Sequence, residues 1–161
     1  MSKICHEVLA NNTLSFEEIN HLHHIEAVLE RYSNSQRFSR AMKVLTKDRE
    51  PFSVFESLAD YLPHPNLLSQ REAYSTLLAF EKDRGEADRY QELKDALVLD
   101  FLLNEQGHLP PSFDYHPLTL SREEMQSFRD AHPEAFLPAI ECYDISTYGR
   151  IFVDRKNKKQ Y

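Results

Sequence analysis

Glycine is scarce, with three in 161 residues. A β-rich fold relies on glycine for the positive-φ positions of its turns. The shortage therefore argues against an all-β domain and against a Gly-rich phosphate-binding loop. Cysteine is scarcer still: Cys5 and Cys142 stand far apart, and neither has a cysteine neighbour. They form a disulfide only if the fold brings them together, and reduced thiols are the default inside a cell. No apolar run approaches the length that spans a bilayer, and none follows Met1-Ser2-Lys3 as a secretory signal would. These absences point to a cytoplasmic protein that does not enter a membrane. There is no internal repeat and no low-complexity tract.

What is present is ordinary for a folded domain: 41% apolar and 28% charged residues. A chain of this length buries about 70% of its unfolded surface without a staple. The net charge is -7. Residues 150–161 hold five basic residues against one acidic, so the rest of the chain carries -11. Such a body repels nucleic acid and acidic membrane. The basic terminal segment reads as solvated and partly disordered.

Amphipathic helices dominate the pattern. Ser15 with Glu18 forms a capping box, followed by Ile19, Leu22, Ile25, Val28, Leu29 and Tyr32 at helical spacing. Ser33-Asn34-Ser35 reads as its stop, and a second helix presents Phe38, Ala41, Met42 and Leu45. Pro51 suits the first turn of a third helix with Phe52, Phe55, Leu58, Ala59 and Leu62 inward, ended by Pro63-His64-Pro65. Ser69 with Glu72 caps a fourth, with Ala73, Leu77 and Phe80 inward and Tyr74 flanking. Gly85 reads as its C-cap. A fifth spans about Glu86 to Asn104, and its second half is apolar nearly all round except for Asp100. After a proline-rich link from Gly107 to Pro117, Ser121 with Glu124 caps a sixth helix that runs to about Ala131. Residues 141–145 and 148–153 have strand composition and pair as a hairpin. The expected fold is mostly α, an irregular bundle of about six helices with a small β-hairpin at the C-terminal end. Residues 1–14 are a lead-in, and 15–161 form a single helical domain. Tyr32, Phe38, Phe52, Phe55 and Tyr61 are expected mainly in the core. Any that stay uncovered as a group mark a docking surface.

Two constellations invite a chemical reading. Glu17, His21 and His24 share one stripe of the first helix, a spacing that can place zinc ligands. The sequence is not His-Glu-x-x-His and shows no fourth ligand, so a solvated or interface rim is the favoured reading. Asp100 interrupts an apolar run. A buried carboxylate is either tuned for chemistry or held by a hydrogen bond to a tyrosine, arginine or helix terminus. With no acid partner visible, the second reading is favoured. The pair of helices around Ser33-Asn34-Ser35, with Arg37, Arg40 and Lys43 on the second, has the outline of a DNA-reading helix-turn-helix. The acidic body and the absence of a turn glycine argue against nucleic acid.

The lead-in EVLANNTLSFEEINHL, the helix IEAVLERY, the turn SNSQRF and the block PFSVFESLADYL together resemble the C-terminal helical domain of cobalamin-binding radical-SAM proteins, often described as Fe-S oxidoreductases. That family usually has glycine where Gln36 stands and an aromatic where Ser33 stands. The resemblance covers about the first hundred residues and includes no catalytic motif. It implies a preceding barrel in the same polypeptide, so that Met1 marks a boundary within a longer protein. It also implies a four-iron iron-sulfur cluster, S-adenosylmethionine and cobalamin, all held by the parent and none by this segment, which lacks three closely spaced cysteines. The expected role is an accessory domain that covers or orients the barrel, or recruits substrate, and is not itself catalytic. The alternative is a free-standing helical module that binds another protein without any cofactor. A third reading, a small metal-dependent enzyme, requires stoichiometric metal.

Overall fold

Serine starts three of the helices in the computed structural model, which describes residues 14–62 and 64–161. Ser15, Ser69 and Ser121 each accept the backbone N–H three residues on, from Glu18, Glu72 and Glu124. Those glutamates accept the serine N–H in return, at 2.7, 2.7 and 2.8 Å. The reciprocal bonds satisfy orphan donors and fix the starts of α1 (Phe16–Leu29), α4 (Gln70–Arg84) and α6 (Arg122–Ala131). α3 (Pro51–Tyr61) takes proline at its first position, and Glu50 accepts the N–H groups of Phe52 and Ser53. α4 stops at Gly85, whose φ of 80° is left-handed.

The sequence reads α1 as continuous to Ser33, but the α-helix ends at Leu29. A π-helical turn, Glu30–Asn34, carries on from it. Asn34 donates to Glu30 and Ser35 donates to the Arg31 carbonyl, so short polar side chains hold the loosened turn. It delivers Tyr32 to the core, fully buried. The chain then bends through Gln36 at φ 61°, the place where the resembled family has glycine. α2 (Ser39–Thr46) follows.

α5 (Ala87–Asn104) is the centre of the domain. Leu93 and every residue from Asp95 to Leu103 are buried, as an all-round apolar helix requires. It packs on α2 and α4. A file of rings runs through the same core: Tyr32 to Phe38 at 5.0 Å, Phe38 to Tyr74 at 4.4 Å, and Tyr74 to Phe101 at 5.2 Å. Tyr74, expected to flank the core, is fully enclosed because its hydroxyl reaches Glu105 and the Arg37 carbonyl.

Two aromatic expectations fail. Phe52 is 51% exposed and Tyr61 38% exposed. The inner face of α3 consists of Val54, Phe55, Leu58 and Ala59, which leaves Phe52 on the flank. Tyr61 turns outward to donate to Asp83 at 2.9 Å while its ring meets Phe80 edge-on. Leu22, expected inside, is 45% exposed, since only the later half of α1 (Ile25 and Val28) reaches the core.

The C-terminal part forms β1 (Ile140–Ile145), β2 (Gly149–Asp154) and β3 (Lys159–Gln160), an antiparallel sheet in that order with Cys142 opposite Phe152. The fold is therefore mostly helical, with a small three-stranded sheet. The basic segment is not a loose tail. Buried Asp154 accepts the N–H groups of Phe136, Lys156 and Asn157 and the Asn157 amide, which turns the chain back so that Tyr161 pairs with Phe152. Its charges are used as well: Arg150 pairs with Glu124, Arg155 approaches Glu141, and Lys156 lies over the Phe136 ring. Cys142 is a free, buried thiol. Cys5 and the lead-in up to residue 13 lie outside the described residues.

Candidate docking face

The four buried carboxylates, Glu81, Asp95, Asp100 and Asp154, are each engaged in holding the fold. Asp100 accepts the N–H groups of Arg40 (3.0 Å) and Ala41 (2.9 Å), the first-turn donors of α2, and approaches the Arg40 guanidinium at 3.4 Å. α2 has no capping side chain of its own, so Asp100 caps it from a different helix. Burial pushes its pKa from 3.8 up to about 6, against the opposing pull of the Ala41 N–H and the Arg40 charge. Asp95, one helical turn earlier, accepts from Gln91 and Tyr115 on one oxygen, and from the N–H and hydroxyl of Thr147 on the other. It moors the β1–β2 turn to α5. Glu81 forms a two-pronged pair with Arg49 at 2.9 and 3.0 Å, and Arg49 and Arg89 share Glu86. Nothing in the local sequence around Asp95 or Glu81 announces these roles. Apart from Gln91, the partners named here, Tyr115, Thr147 and Arg49, lie 20, 52 and 32 residues away.

The histidine stripe divides. The His24 ring meets the Leu62 carbonyl, so it ties α1 to the end of α3. His21 faces α3, with Glu56 at 3.7 Å and Asp60 at 3.9 Å. Glu17 stays at the surface beside it. Glu17 and His21 border one hollow, and His24 does not. Among the described residues no group of three His, Cys, Asp or Glu side chains is placed to hold a metal ion. Of the three basic residues in the helix-turn-helix outline, Arg37 pairs with Glu105 and Arg40 with Asp100.

The hollow bordered by Glu17 and His21 has a volume of about 400 Å³ and is completed by Leu14, Glu18 and Leu22, a mainly apolar lining. Through His21 it meets a stripe of α3 in which Phe52, Glu56 and Asp60 follow at successive helical turns. The result is a face with three apolar side chains and four carboxylates. Among the described residues none of these four acids pairs with a lysine or arginine; Glu56 and Asp60 meet only His21, and Glu18 is bonded to Ser15. Some carboxylates elsewhere pair with a cation: Glu81 and Glu86 with Arg49, Glu92 with Lys47, Glu105 with Arg37, Glu124 with Arg150. A second groove, of about 460 Å³, lies between α6 and β2. There Phe128 stacks on Phe152 at 4.4 Å and His132 packs on Tyr161, while Glu124 and Arg150 close on each other at the rim. Its charges are internally balanced, unlike those of the α1–α3 face.

Residues 1–150 match a family model described as "Protein of unknown function (DUF4080)". The chain belongs to that family. Its description assigns no activity. No curated protein and no solved structure matches the chain. No helix among the described residues is long and apolar enough to cross a membrane.

Proposed function

We propose that this chain is a docking module that binds another protein through the α1–α3 face and needs no cofactor of its own. The observation that carries the reading is the pair of exposed apolar side chains Leu22 and Phe52 on the face that also bears Glu17, Glu56 and Asp60. Exposed apolar side chains gathered with like charges lower stability for no structural return, and they are kept where a partner covers them. The buried carboxylates support the same reading from the other side, since each is saturated by bonds that hold the fold. A photo-crosslinking residue placed at Leu22 or Phe52 in the source cells should give a discrete adduct. One placed at Gln126 on α6 should not. Equal labelling at all three positions refutes the assignment.

A second reading places the partner within the same polypeptide, as the barrel of a radical-SAM protein that this domain covers or orients. It is supported by the resemblance of the lead-in and α1, and by the position of the hollow at Leu14 to Leu22, next to that lead-in. The iron-sulfur cluster, S-adenosylmethionine and cobalamin then belong to the parent. Among the described residues the donor set offers them nothing, with one buried thiol and no convergent ligand group. Crosslinks that stay within one long polypeptide favour this reading. Full turnover by a parent lacking this domain rejects it.

A further inference from the structure

No further inference is drawn: the strongest candidate, the groove of about 460 Å³ between α6 and β2, is lined by Phe128 and Phe152 stacked on each other and by Glu124 closed on Arg150, and nothing among the described residues shows what occupies it.

Discussion

Asp100 makes the pH dependence of stability calculable. Its carboxyl is fully buried, and its pKa rises from 3.8 to about 6 in the folded chain. The folded state therefore holds this proton more tightly than the unfolded state. Between those two values unfolding releases a proton, so stability falls as pH rises. The contribution is complete below pH 3.8 and is lost as pH passes through about 6. A shift of about two units corresponds to about 3 kcal/mol. Asp100→Asn is the informative perturbation. Its amide oxygen can stay where the Ala41 and Arg40 N–H groups converge, at 2.9 and 3.0 Å, so the α2 cap survives without a charge to bury. Urea unfolding of both proteins, from pH 4 to pH 7 at fixed ionic strength, gives a difference in which the other titrations cancel. That difference should move in favour of Asp100→Asn by about 3 kcal/mol across the range. Asp100→Ala is the control. It leaves both donors without an acceptor and should lie about 2–4 kcal/mol below Asp100→Asn at every pH. A difference between wild type and Asp100→Asn that is flat in pH, or that moves the other way, would falsify the assignment of Asp100 as a cap that is costly to ionise.

Three further outcomes follow from single positions. Gln36→Gly should raise the unfolding free energy by about 0.5–1 kcal/mol, because φ 61° strains a side chain more than the added freedom of the unfolded chain costs; a lower urea midpoint contradicts this. Glu81→Ala should cost about 3–5 kcal/mol by removing the buried carboxylate from Arg49 and leaving it only the half-exposed Glu86, and pairing it with Arg49→Met should recover most of the loss in the same assay. Phe52→Ser should change stability by less than about 0.5 kcal/mol, whereas Phe55→Ala should cost about 3–5 kcal/mol, with thermal unfolding reading both; a large loss for Phe52→Ser would mean that it is packed rather than presented.

What could be read from the sequence was local. Ser15, Ser69 and Ser121 each sit three residues before a glutamate, and that spacing is enough to start a helix. Pro51 and Gly85 mark a start and a stop for equally local reasons. The all-round apolar run of α5 predicts its central position. What could not be read depends on who meets whom. Asp100 and Ala41 are 59 residues apart, Asp95 and Thr147 are 52 apart, and Arg49 and Glu81 are 32 apart. No window of periodicity contains such pairs. The basic segment misled for a related reason: its charge count suggests solvation, while the single acid within it, Asp154, folds it back as a strand. Phe52 misled because spacing on α3 gives an apolar face wider than the core that receives it.

The division of the acids between two uses bears on function. Asp95, Asp100, Glu81 and Asp154 are enclosed, and each is met by several donors, so their negative charge is consumed in joining helices, hairpin and turn. Glu17, Glu56 and Asp60 lie on one face and receive no lysine or arginine among the described residues. The chain carries 19 basic against 26 acidic residues, a net charge of -7. Arg37, Arg49, Arg89 and Arg150 are each placed against an acid elsewhere. Self-repulsion across the α1–α3 face is relieved when opposite charge arrives from outside, and that relief adds to binding while leaving the isolated fold intact.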